Sequence, residues 1–125
     1  MFRKLVVCAG LATALAVAAP ALAHHSSAMF DQTKTVTLAG TVKEFLWTNP
    51  HSYIQLMVKN DRGGEDEWNL EMTAPLHLQR LGWTKSSLKP GEHITVKIHP
   101  LRDGSHGGNV QEAAGPDGKL IGNHA

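Results

Sequence analysis

The chain has 125 residues, with 12 Lys and Arg, 11 Asp and Glu, eight His and one Cys. That length suits one domain, and a formal charge of +1 lacks the basic excess of a nucleic-acid binder or of an electrostatically held membrane-surface protein. Hydrophobic residues at 42% are enough for a packed core, which excludes wholesale disorder.

The chain opens with an expected address. Arg3 and Lys4 precede the apolar run Leu5–Ala19, followed by Pro20 and the small-residue triplet Ala21-Leu22-Ala23. This is the layout of a secretory signal peptide over residues 1–23, with cleavage expected after Ala23 and a periplasmic or secreted destination. A membrane anchor is the alternative, but the run is short of the ~20 residues that span a bilayer, so no stable membrane insertion is expected after cleavage. Removing the leader takes away Arg3, Lys4 and Cys8, leaving ten basic residues against eleven acidic ones and all eight histidines. A disulfide is then impossible, and steering to a polyanion is weaker still.

Residues 24–34 read as an N-terminal arm, 35–115 as the domain and 116–125 as a loose tail. From Thr35 the apolar residues alternate at Val36, Leu38 and Val42, then shift parity at Phe45 and Trp47. That slip beside Gly40 predicts one long, bulged strand ended by Asn49-Pro50. A second strand is predicted over Ser52–Lys59, with Ile54, Leu56 and Val58 inward. After the turn signal Asn60-Asp61-Arg62-Gly63-Gly64, a third spans Glu67–Met72, with Trp68, Leu70 and Met72 inward and Asn69 and Glu71 outward. Thr73 is placed to cap a short helix over Ala74–Leu81, with Gly82 as its terminator. Ile94, Val96 and Ile98 mark a fourth strand, and a Gly-rich loop over Leu101–Gly108 leads to a short fifth near Val110–Ala114.

Three strands, a helix and two more strands is the order of a mainly β, five-stranded OB-like barrel. An open α+β sandwich of the same elements is the alternative. In the barrel, the strand 1–2 loop (Thr48–His51) and the strand 4–5 loop (Leu101–Gly108) flank the usual binding face.

Several runs stand out together: His24-His25-Ser26-Ser27-Ala28-Met29-Phe30-Asp31, Trp47-Thr48-Asn49-Pro50-His51-Ser52, Trp68-Asn69-Leu70-Glu71, Leu88-Lys89-Pro90-Gly91 and Arg102-Asp103-Gly104-Ser105-His106-Gly107-Gly108. In combination they resemble a family of small exported bacterial proteins classed as a domain of unknown function. The resemblance implies an exported location and this size, and carries no activity and no catalytic residue.

The histidines carry the strongest chemistry. Cleavage after Ala23 makes His24 the amino terminus, where its free amine and ring nitrogen chelate one ion. One further imidazole completes a site suited to Cu(II), which prefers tetragonal nitrogen ligation. This resembles the histidine brace of exported copper proteins, on the strength of one position. His25, His51, His99 and His106 are the available second imidazoles, and Met29 suits Cu(I). The bland alternative is a solvated leader end, with His51 capping a carbonyl. His77, His93 and His124 read as surface residues. Glu71 and Asp103 are the carboxylates to watch, although a solvated Glu71 and an Asx turn at Asp103 are the simpler readings. Trp47 reads as a core aromatic or as a platform for a flat ligand. With Asn49 and Ser105, these residues make up the candidate ligand or partner surface.

No G-x-S-x-G elbow, P-loop, G-x-G-x-x-G or C-x-x-C occurs. Three functions follow: an exported module binding a small ligand or periplasmic protein on its two loops, a copper-handling protein built on His24, or, least favoured, a copper-dependent oxidoreductase.

Overall fold

The computed structural model describes residues 27–122. The expected signal peptide, His24, His25 and His124 lie outside them. Within them the chain forms a five-stranded closed barrel, with strands β1 (Val36–Leu46), β2 (Tyr53–Lys59), β3 (Glu65–Glu71), β4 (His93–Pro100) and β5 (Gly107–Ala114). The strand order around the barrel is β1-β2-β3-β5-β4. The helix α1 (Pro75–Arg80) lies between β3 and β4, and a 3₁₀ turn over Ser27–Met29 precedes β1. Closure decides for the OB-like barrel over the open sandwich.

The predicted slip in β1 is a bulge between Val42 and Glu44. Before it, Val36 to Thr41 pair with β4; around and after it, Thr41 to Leu46 pair with β2. One strand thus serves both halves of the barrel, and the extra residue lets it bend between them. Gly40 sits where the backbone of β1 lies close against that of β2. A Cβ there would stand 2.3 Å from the Met57 carbonyl oxygen, so only glycine fits.

Alternation elsewhere fills the interior. Leu38, Val42, Ile54, Leu56, Leu70, Ile94, Val96, Ile98 and Ala113 form one buried cluster. Leu78 from α1, and Trp83 and Leu88 after it, join the same cluster. Gly82 ends the helix with a positive φ of 90°, and the Trp83 amide donates to the Leu78 carbonyl across the Schellman turn. That turn drops Trp83, the largest fully buried side chain, into the core.

Three expectations are corrected. Thr73 does not cap α1: the N-cap is Ala74, without a side-chain hydrogen bond, and Pro75 sets the first turn. Strand β5 begins at Gly107, so the β4–β5 loop is shorter than the predicted Leu101–Gly108. Gly107 and Gly108 instead close the barrel, pairing in parallel with Asn69 and Leu70 of β3. A Cβ on Gly108 would meet the His99 carbonyl oxygen at 2.7 Å, which explains why a glycine pair with no alternating pattern is strand here. The tail is not wholly loose, since Leu120 bridges Ala114 and the Ile121 amide donates to the Ala113 carbonyl. No helix among the described residues is long and apolar enough to cross a membrane.

Candidate functional site

The arm before β1 is fastened to the barrel by the β4–β5 loop. Phe30 is buried and forms a bridge with Leu101. The Asp31 amide donates to the Pro100 carbonyl at 2.8 Å, and the Arg102 amide to the Met29 carbonyl at 3.0 Å. Arg102 adds a side-chain bond from Nε to the Ala28 carbonyl at 2.9 Å. Asp31 folds the arm on itself, accepting from the Thr33 hydroxyl at 2.6 Å and the Thr33 amide at 3.0 Å. Those two bonds, with Arg102 and Lys34 nearby, hold its carboxyl below the ordinary 3.8. On the far side of the arm, His99 Nδ1 lies 2.8 Å from the Lys34 carbonyl oxygen; a carbonyl only accepts, so Nδ1–H donates.

Between arm and barrel lies a cleft of about 230 Å³, bordered by Ser27 and Gln32 from the arm and by His51, Glu71, His99 and Asn109 from the barrel. Glu71 points away from the core, as its strand parity predicts, yet it is only 8% exposed. The expected solvated Glu71 is therefore corrected. Phe30 of the arm and Tyr53, its cross-strand partner, share its surroundings. Burial and then the Glu71 charge push the Tyr53 phenol above its usual range. A buried carboxylate calls for a polar or cationic partner; His51 faces it, Nδ1 against Glu71 Oε1, although Nδ1 makes no hydrogen bond there. Nδ1 itself is buried while the His51 side chain is 35% exposed, so the accessible part of the ring is its other edge. The β1–β2 loop that carries His51 is pinned by the Thr48 hydroxyl, which donates to the His51 carbonyl at 2.7 Å. Its Asn49–Pro50 bond is cis.

The other candidates fall elsewhere. Trp47 stacks edge-on against Phe45 with centroids 5.8 Å apart and packs on the core, so it is a core aromatic. Asn49 is exposed at the loop tip. His106 lies flat on Trp68 at 4.8 Å, its Nε2 3.7 Å from Asp66 Oδ2. Asp103 makes the Asx turn, accepting from the Ser105 amide and hydroxyl, which lowers its carboxyl below 3.8. His77 and His93 are exposed. Of the candidates, then, His51, Glu71 and His99 converge on the cleft, whereas Asp103, Ser105 and His106 do not line it. Among the described residues no group of three or more His, Cys, Asp or Glu is arranged to hold a metal ion. Gln32 and Asn109 were not singled out from sequence. Asn109 lies just past the glycine pair, and only β3–β5 pairing sets it opposite Glu71.

Residues 12–111 match DUF6152, a family of unknown function. The chain belongs to that family. No functionally curated protein matches it. Among solved structures it is similar to the mitochondrial single-stranded DNA-binding protein Rim1 of S. cerevisiae, with a TM-score of 0.50 and 11% identity, covering 72% of this chain and 95% of that one. At that identity the likeness is one of fold. In this DUF6152 chain the arm lies across Tyr53, Asn69 and Glu71 on the outer face of β2 and β3, one of the surfaces with which OB domains take their ligands. A cleft stays open beside the arm.

Proposed function

We propose that this chain is an exported binding module that takes a small ligand in the cleft between its arm and its barrel. The observation that carries the reading is the buried Glu71 carboxylate held against His51 on the wall of an open cleft. A purely structural buried polar pair is often no more stabilising than apolar residues of the same volume. Beside a concave site, the same pair supplies an oriented polar group of the sort that gives a small-molecule site its specificity. A fragment screen read by backbone amide shifts tests the reading. Perturbations are expected to cluster on Gln32, His51, Thr73, His99 and Asn109. Clustering instead on the groove at Ala39, Thr41, Met57 and His93 overturns it.

A second reading, copper handling, is favoured by the position of Ser27. If the leader ends at Ala23, His24 is the amino terminus and lies three residues before Ser27. Ser27 borders the cleft with His51 and His99, and three residues of extended chain span at most about 11 Å. Cu(II) titration of the protein beginning at His24, against the same protein with one added residue before it, tests this reading. Equal affinity of the two forms overturns it. Both readings hold together if the ion fixes the arm and so completes the cleft.

A further inference from the structure

We propose that the cleft between arm and barrel selects a small organic cation, a primary ammonium, and that the Glu71 carboxylate is the group that receives it. This rests on the cleft reading above and names the chemical class of its ligand.

The fold leaves this carboxylate short of donors. The Glu71 side chain is nine-tenths buried, and a buried carboxylate is costly unless hydrogen bonds surround it. Among the described residues none donates a hydrogen bond to either of its oxygens. His51 faces Oε1 through Nδ1, yet that nitrogen is itself buried and makes no hydrogen bond. The amide of Asn109, also on the cleft wall, is spent elsewhere. Its Nδ2 donates to the Glu71 backbone carbonyl at 3.5 Å, and its Oδ1 accepts from Gln111 Nε2 at 2.7 Å. Glu71 thus keeps unfilled acceptor capacity, and it does so on the wall of an open cleft.

The rest of the lining sets the sign and the size of what fits. It holds no Lys or Arg. The cations of the neighbouring segments are engaged away from it, Lys34 with Asp31 at 3.8 Å and Arg102 with the Ala28 carbonyl. Gln32 and Thr73 bring an amide and a hydroxyl whose side chains make no hydrogen bond among the described residues. An ammonium presents three donors, one for the carboxylate and two for neutral acceptors of this kind. Phe30 and Met72, both buried, give the same cleft an apolar wall for a short carbon chain. At about 230 Å³ the cleft falls below the roughly 300–1,000 Å³ of sites for drug-sized ligands, so the cation is small. Charge-assisted hydrogen bonds are roughly twice as strong as neutral ones. Charge is therefore what this site discriminates.

The experiment titrates the full chain with n-butylammonium, n-butanol and n-butyrate at neutral pH and reads backbone amide shifts. Saturable shifts on Gln32, Thr73 and Asn109 are expected, with n-butylammonium binding about tenfold or more tighter than the other two. Glu71→Gln is expected to lower n-butylammonium to the affinity of n-butanol and to leave n-butanol unchanged, which a folding defect would not do. The comparison of the three probes on the wild type stands without the variant. Equal affinity for n-butylammonium and n-butanol at these residues overturns the cationic class and leaves the cleft reading standing. Tighter binding of n-butyrate also overturns it, and makes the histidines the charge that a ligand meets. N-acetyl-lysinamide carries the same four-carbon ammonium on a peptide backbone and is expected to bind no tighter than n-butylammonium. Tighter binding overturns the assignment to a free amine and points to a lysine of a protein partner. Absence of saturable shifts with n-butylammonium overturns the inference, and the fragment screen then decides the cleft reading by itself. Saturation by every probe at Ala39, Thr41, Met57 and His93, with none at the cleft, overturns both.

Discussion

Asp31 shows how one side chain sets the path of the arm. Its carboxylate collects the Thr33 hydroxyl and amide and sits 4.0 Å from Arg102, whose guanidinium also holds the Ala28 carbonyl. These contacts favour the charged form, so the folded chain binds fewer protons at this site than the unfolded one. The stabilisation is therefore complete above the unfolded value near 3.8 and is lost as pH falls through the depressed folded value. Asp31→Asn removes the charge and keeps the shape. Its melting temperature is expected to lie below that of the wild type at neutral pH, with the gap closing below about pH 4. A gap that persists unchanged at about pH 2 would show that the contribution is not electrostatic. Glu71 gives the complementary lesson. Its outward parity was legible, but its burial was not, because Phe30, which shares its surroundings, lies 41 positions earlier in the chain and is brought there by the contacts that fasten the arm to the barrel.

At the scale of the element, the barrel depends on positions where backbone meets backbone. Gly40→Ala would place a methyl 2.3 Å from the Met57 carbonyl oxygen, and Gly108→Ala one 2.7 Å from the His99 carbonyl oxygen. Neither neighbour is a flexible side-chain end, so strand spacing must give. Each substitution is expected to cost about 1–3 kcal/mol, a fall in melting temperature of roughly 4–24 °C for a domain of this size. Gly64→Ala, whose new methyl would meet only the Asn60 side chain at 3.6 Å, is expected to stay within about 0.5 kcal/mol of wild type. Thermal melts of the three variants check the contrast, and equal losses at all three would refute it. The same positions mark where the sequence could be read. Strands β1, β2 and β4 announce themselves by alternation, and even the β1 bulge shows as a change of parity. The start of β5 does not, because glycine has no side chain with which to write a period. Thr73 looked like a cap from its residue type, but the Pro75 at the first helical position carries the helix start instead.

For the whole molecule, the class of fold and the two flanking loops were legible, because element order alone restricts how five strands and a helix can close. The site was legible only in pieces. His51 and Glu71 drew notice separately, each with a bland reading available. Their meeting depends on the register that sets Tyr53 opposite Glu71 and carries the β1–β2 loop back to the end of β3. Trp83 was missed because it follows a turn rather than belonging to a periodic run, although it fills more of the core than any other fully buried side chain.

The parallel seam between β3 and β5 spans only Asn69 to Glu71. Closure by three residue pairs leaves Glu65–Trp68 of β3 with a strand on one side only, and the far end of β5 in the same position. Unpaired strand backbone invites another chain to add itself. On β3 that stretch begins Glu65-Asp66-Glu67, so an approaching copy meets its own negative charge. On β5 the chain's own tail takes the place, with Leu120 and Ile121 bound to Ala114 and Ala113. The tail thus covers the far end of β5, and like charge disfavours pairing of the β3 stretch with a copy of itself.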